Sequence, residues 1–133
     1  MAATRRGKRA PDESHSLPAD GAVTGLRNQA LFRRVNEEVC RVAMGFAVVD
    51  EEIELLCECE HGDCFARFSI APGDYEAVRR FPTRFLIKPE HVGADEQVVA
   101  ETPGYAVVEK VGRSAVAATG LDPREQPAGA ETR

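Results

Sequence analysis

Three cysteines lie close together near the middle of this 133-residue chain, in the segment Cys57-Glu-Cys-Glu-His-Gly-Asp-Cys64. Zinc binds thiolate sulfur at about 2.3 Å in a tetrahedron, which places two ligand sulfurs roughly 3.8 Å apart. A strand end followed by a tight turn can bring side chains to that separation, and Gly62 lets the chain turn back before the third cysteine. The spacing therefore predicts that Cys57, Cys59 and Cys64 can meet one metal ion.

A closed tetrahedral site needs a fourth ligand. The candidates are His61 in the same loop, His91 beyond a later strand, Cys40, and a ligand from outside the chain. His61 is constrained by its place in the loop, whereas the chain could return to the cluster at His91. Cys40 falls beside Val39 on a predicted helix, where we expect it to pack as a small apolar side chain.

Two other interpretations of the clustered cysteines stay open. They could be buried and act as small hydrophobic residues. Alternatively, Cys57 or Cys59 could be the reactive thiolate of a thiol-based redox sensor or oxidoreductase. Glu58 and Glu60 flank the cysteines, but we expect them to be solvated rather than to serve as the general base of a catalytic zinc site.

The elements around this segment predict an α+β fold, a small single domain with an N-terminal helix, a mainly antiparallel sheet and one short helix. The first helix is expected from Leu26 to about Met44. Its core face should carry the apolar residues that recur every three or four positions, which are Leu31, Val35, Val39 and Val42.

Alternating apolar residues and turn signals predict strands at 53–59, 65–70, 83–88, 96–101 and 105–111. A short helix is expected from Pro72 to about Arg80, with Pro72 at its first position. On this helix Tyr75 should face the core, and Arg79 and Arg80 should face water.

The two ends of the chain are polar. Residues 1–24 and 120–133 are expected to be disordered tails, which leaves 25–119 as the metal-binding α+β domain. The net charge of −5 disfavours a dedicated nucleic-acid binder. No apolar stretch approaches the roughly 20 residues of a membrane span, and no secretory signal is recognisable. We therefore expect a cytoplasmic protein without membrane contact.

Several motifs resemble those of a group of small uncharacterised actinobacterial proteins. The similarity spans about residues 26–124 and includes the C-E-C-x4-C segment, the helix starting Tyr75-Glu-Ala-Val-Arg, and Pro89-Glu-His91. The resemblance implies that His91 belongs with the three cysteines, and it disfavours His61. The chain departs from the group at Glu90, where the group has Gly, and at Ala71, where a helix-capping Thr is usual. No activity accompanies the resemblance.

Together these features favour a small zinc-binding protein with a structural Cys₃His site, acting in protein interaction or regulation; the metal ligands would be Cys57, Cys59, Cys64 and His91. A [2Fe–2S] cluster is less favoured, because the small iron–sulfur proteins with this ligand set have a histidine four positions after the third cysteine, and here Phe68 stands there. Common catalytic motifs are absent from the sequence, which argues against an enzyme. Nucleic-acid association through the basic run at 5–9 is a second alternative.

Overall fold

The structure is a computed structural model that describes residues 20–125, with side chains described for residues 24–124. Within this range there are three α-helices, α1 (Asp20–Gly45), α2 (Pro72–Val78) and α3 (Arg113–Gly120). The five strands are β1 (Ile53–Leu56), β2 (Arg67–Ile70), β3 (Arg84–Ile87), β4 (Glu96–Glu101) and β5 (Ala106–Lys110). Short 3₁₀ turns lie at Pro89–His91 and Pro123–Glu125. The parts of the two predicted tails at 1–19 and 126–133 lie outside the described residues.

The strands form two antiparallel sheets. β1 pairs with β2, with Leu55 opposite Phe68. The second sheet has the order β3-β5-β4, with Leu86 opposite Val107 in the central pair of strands. The predicted α+β fold with an N-terminal helix, antiparallel strands and a short helix is confirmed, and α3 is an additional helix that the sequence did not predict.

The β3-β5 pair separates two apolar clusters. Because side chains alternate along a strand, Phe85 and Ile87 pack in one cluster and Leu86 packs in the other. The first cluster contains Cys57 and Cys59 and is closed by α3. The second cluster lies between β1, β2 and α2, and its members are Cys40, Leu55, Phe68, Ile70, Tyr75, Leu86 and Val107. The predicted packing role of Cys40 is confirmed, since its side chain is buried in this cluster.

Helix α1 forms as predicted, but the prediction of its buried face is wrong. The residues expected in the core, Leu31, Val35, Val39 and Val42, are 39–55% exposed. The opposite side of the helix is buried instead, with exposures of 0–1% for Gln29, Arg33, Asn36 and Cys40. α1 therefore turns a polar stripe toward the sheets and an apolar stripe toward solvent.

The polar stripe of α1 is buried because the sheet side offers it hydrogen-bond partners. The Arg33 guanidinium donates to the carbonyl of Pro82 at 2.7 Å and to that of Ala118 at 3.2 Å. Asn36 bonds both backbone groups of Leu56, accepting from its N–H at 2.9 Å and donating to its carbonyl at 2.8 Å. Backbone groups at the edge of β1 would otherwise be buried without a partner, which is costly.

Helix α2 also departs from expectation on one side. Tyr75 is fully buried, as predicted, and Arg80 is exposed. Arg79, expected to face water, is buried with only 1% exposure. It forms ion pairs with Glu37 and with Asp122, both at 2.6 Å. Asp122 is itself buried, so the packed part of the chain continues beyond Gly120.

Between residues 20 and 125, no helix is both long enough and apolar enough to cross a bilayer.

Candidate metal centre

Four metal-binding side chains come together from two separate segments of the chain. Cys57 and Cys59 follow directly after β1, Cys64 lies in the loop before β2, and His91 ends the 3₁₀ turn after β3. The three sulfurs and one ring nitrogen of His91 all lie within 4.8 Å of one another. The Nδ1 atom of His91 is 3.4 Å from the sulfur of Cys57 and 3.7 Å from the sulfur of Cys64.

These distances fit one tetrahedral metal ion. With metal–sulfur bonds of about 2.3 Å and metal–nitrogen bonds of about 2.05 Å, tetrahedral angles place sulfur and nitrogen roughly 3.6 Å apart. The two sulfur–nitrogen distances to His91 lie on either side of that value. Three thiols and one imidazole are also the donor types that zinc prefers in closed sites. The four residues could therefore hold a metal ion.

Backbone hydrogen bonds hold the cysteine segment between the two sheets. The N–H of Cys57 donates to the carbonyl of Ala66 at 2.9 Å, which extends the β1-β2 ladder by one step. The next residue changes partner, since the N–H of Glu58 donates to the carbonyl of Leu86 in β3 at 2.8 Å. The segment therefore bridges the two sheets at the point where the first two cysteines lie.

Backbone N–H groups lie close to two of the sulfurs. The N–H of Lys88 donates a hydrogen bond to the sulfur of Cys57 at 3.2 Å, and the N–H of His61 lies near the sulfur of Cys59. Both N–H groups favour the thiolate form. Burial nevertheless raises the pKa of Cys57 and of Cys59 above its usual value. A thiolate at either position therefore needs a positive charge nearby, which a bound metal ion would supply.

Glu58 is buried, so the expectation that it is solvated is wrong. It lies between two cysteines, and its side chain reaches the face opposite their sulfurs. There its carboxylate accepts hydrogen bonds from the hydroxyl of Tyr75 at 2.6 Å, from Nδ2 of Asn36 at 2.8 Å and from the N–H of Leu86 at 2.9 Å. Glu58 anchors the cysteine segment on the face opposite the sulfurs and is not placed to act as a base at the metal centre.

A buried lysine links Glu60 to the loop that follows His91. The ammonium of Lys110 lies 3.1 Å from a carboxylate oxygen of Glu60, 3.1 Å from Asp95 and 3.0 Å from Glu96. Glu96 in turn accepts a hydrogen bond from the N–H of Gly93 at 2.6 Å. A Cβ atom at Gly93 would lie 2.6 Å from a Glu60 oxygen, so a larger residue at this position would displace the Glu60 carboxylate. All three carboxylates therefore converge on the single ammonium of Lys110.

The other two side chains considered as a fourth ligand lie apart from the four-donor cluster. His61 is exposed, and its ring meets that of His91 edge-on with 6.5 Å between centroids. Cys40 lies in the second apolar cluster, where burial raises its pKa to about 12. Of the candidates named from the sequence, the structure brings His91 to the cysteines.

Sequence reasoning missed the side chains that support the site, above all Glu58, Asn36 and Lys110. One signal was present in the pattern of α1, where polar residues repeat with helical spacing at 29, 33 and 36. A second signal was the alternation through Cys57, Glu58 and Cys59, which in a strand sends the carboxylate to the face opposite the thiols. For Lys110 the β4-β5 hairpin was a partial signal, because it pairs Lys110 with Glu96, whereas Glu60 comes from a distant segment.

Comparisons of the chain with protein-family models, curated proteins and solved structures found no match. The fold and the cluster of donors therefore define the class of protein on their own: a small α+β domain with a candidate Cys₃His metal centre.

Proposed function

We propose that this chain is a small zinc-binding protein in which Cys57, Cys59, Cys64 and His91 form a structural site. The observation that carries the proposal is the meeting of four donor atoms within 4.8 Å of one another. His91 is 27 residues from Cys64, so their proximity is produced by the fold and not by local sequence. An ion bound here would tie the end of β1 to the turn after β3.

A structural role is favoured over a catalytic one. Catalytic zinc keeps one coordination position open for water or substrate, whereas four protein donors complete a tetrahedron. Glu58, the acidic residue between two of the cysteines, is occupied by three hydrogen-bond donors on the other face. Glu60, which follows Cys59, forms an ion pair with Lys110.

Zinc is favoured over a [2Fe–2S] cluster because of how compactly the donors are arranged. In a two-iron cluster the protein ligands are divided between two metal atoms, which separates the pairs of donors. Here every donor lies within 4.8 Å of every other, as expected around a single ion. The zinc ion would supply the positive charge that stabilises the three buried or half-buried thiolates.

The thiol-based redox alternative has less support. Reactive cysteines are usually accessible and have a lowered pKa, whereas Cys57 and Cys59 are buried and have a raised pKa. The nucleic-acid alternative depends on the basic run at 5–9, which lies outside the described residues. Residues 25–120 contain 11 basic and 16 acidic side chains, so this region should not attract nucleic acid.

For the biological role we propose protein interaction or regulation in the cytoplasm. A zinc site of this kind stabilises a small domain whose surface is then free to bind a partner. Free thiols and metal-bound thiolates are typical of a reducing compartment. Membership of the actinobacterial group is proposed on the motifs of residues 26–124 alone.

The test is the metal content of the full-length chain purified without added metal. Elemental analysis should find about one zinc per chain, and three thiols should react with a thiol reagent only after a chelator is added. His91→Ala should reduce zinc affinity more than the matched control His61→Ala. Cys64→Ala should do the same relative to Cys40→Ala. A metal-free protein with freely reacting thiols would contradict the proposal, and a stronger effect of His61→Ala would move the fourth ligand to the loop.

A further inference from the structure

The apolar stripe, defined here as Leu31, Val35, Val39 and Val42 of α1 together with Phe46 directly after the helix, has no cover within the described residues. Its four helical members lie on the side of α1 opposite the buried polar stripe, and Phe46 is 79% exposed. From Leu31 to Val42 it extends about 16 Å along the helix axis. A contiguous apolar surface of this kind on a small protein usually marks a site of association.

The rest of the chain offers little that could cover the apolar stripe. The segments outside the described residues, 1–19 and 126–133, contain Met1 and Leu17 as their only large apolar residues. Two such side chains cannot match five exposed apolar ones. The occupant is therefore expected to be another molecule.

Charged residues beside the apolar stripe indicate what that molecule is. Arg34 and Glu38 lie one helical turn apart on the same flank of the stripe. Glu38 pairs with Arg41 at 2.5 Å, and both side chains are more than half exposed to solvent. Arg34 has no ion-pair partner among residues 24–124. This flank thus presents both signs of charge, with an unpaired cation near the middle of the stripe.

We propose that the apolar stripe is the interface of a homodimer in which two copies of α1 pack antiparallel. A two-fold axis between antiparallel helices brings the same flank of each helix together. Leu31 then lies opposite Val42 of the second copy, and Val35 lies opposite Val39. On the charged flank, Arg34 of each copy faces Glu38 of the other, so the ion pair forms twice.

A parallel pair lacks this complementarity. Its two-fold axis would bring the charged flank of one helix against the opposite flank of the other, where Phe32 and Ala43 lie. Arg34 would then face apolar side chains. The charge pattern therefore favours the antiparallel arrangement.

A single pair of helices gives a small interface, so the dimer should be weak and concentration-dependent.

The inference does not rest on the metal site, and its test uses the full-length protein with its native metal content. Sedimentation equilibrium over a range of concentrations should show a reversible monomer–dimer equilibrium. Val35→Glu should leave only monomer, because it places a charge in the centre of the interface. Val99→Glu is the matched control, since Val99 is an equally exposed valine on β4, and it should leave the dimer unchanged.

The charge swap tests the antiparallel register. Arg34→Glu should weaken the dimer by about tenfold or more, because two ion pairs become two repulsions. Glu38→Arg should have a similar effect, and the double variant should restore the affinity of the original chain. Circular dichroism and metal content confirm that each variant is folded. Monomer at every concentration, a dimer that survives Val35→Glu, or a double variant that is no better than the singles would overturn the proposal.

Discussion

The hydroxyl of Tyr75 donates a hydrogen bond of 2.6 Å to the carboxylate of Glu58, and both side chains are fully buried. Glu58 stands between Cys57 and Cys59, so this bond connects α2 to the segment that carries two of the four metal-binding side chains. Asn36 reaches the same carboxylate from α1. The position of the candidate metal centre thus depends on two helices that contribute no ligand to it.

The first prediction concerns this carboxylate. Glu58→Gln should lower the free energy of unfolding by about 1–3 kcal/mol, because an amide group cannot accept from all three donors that surround it. The measurement is urea-induced unfolding of the metal-loaded chain. Glu51→Gln is the control, since Glu51 is exposed and has no partner among the described residues. Equal stability of the two variants would show that Glu58 does not organise the site.

The second prediction concerns removal of the metal. A chelator should lower the thermal midpoint by roughly 10 °C or more, because the ion binds the native state and a stabilisation of about 3 kcal/mol moves a domain of this size by that amount. Differential scanning calorimetry with and without chelator measures the shift. In Cys64→Ala the chelator should have little effect. If the midpoint is unchanged and a reversible disulfide forms under mild oxidant, the thiol-based redox interpretation replaces the structural one.

The third prediction concerns the C-terminal part of the fold. A chain ending at residue 119 should be about 3 kcal/mol less stable than one ending at residue 125, because Arg79 loses the buried carboxylate of Asp122. Asp122→Ala in the full-length chain should lose a similar amount. Chemical denaturation of the three proteins measures these differences. If the chain ending at residue 119 is as stable as the chain ending at residue 125, the Arg79–Asp122 pair does not contribute to stability.

The fourth prediction concerns the end of α1. Ala47 has a positive φ of 65°, and its N–H donates to the carbonyl of Met44 at 2.9 Å, which is a left-handed cap usually formed by glycine. Ala47→Gly should therefore stabilise the protein by about 1 kcal/mol. Ala117→Gly, at an exposed position inside α3, should destabilise it by about the same amount. Thermal unfolding should show shifts of opposite sign, and a loss of stability in Ala47→Gly would contradict the assignment.

The elements of the fold could be predicted from the sequence because their signals are local. Alternation placed the strands, and the hairpin between β4 and β5 follows from Thr102-Pro-Gly104. Clustering in the sequence was likewise enough to single out Cys57, Cys59 and Cys64. These residues are separated by so few positions that any fold would keep them near one another.

The buried face of α1 could not be predicted in the same way. The helix carries two periodic stripes, one apolar and one polar, and hydrophobic periodicity selects the apolar one. The structure buries the polar stripe because carbonyls and N–H groups of distant segments, such as those of Leu56 and Pro82, become its partners. These backbone groups come to face α1 only when the two sheets have formed. Their need for Asn36 and Arg33 as partners is therefore a property of the tertiary structure.

The same holds for the fourth donor and for the buried charges. His91 joins the cysteines because β3 ends beside the segment after β1, and Arg79 is buried because Asp122 returns to it from 43 residues away. A sequence states which side chains can bind metal or form ion pairs. Which of them meet depends on the path of the chain between them, because a charged group such as a carboxylate or a thiolate is stable in the interior only where the tertiary structure brings its partner.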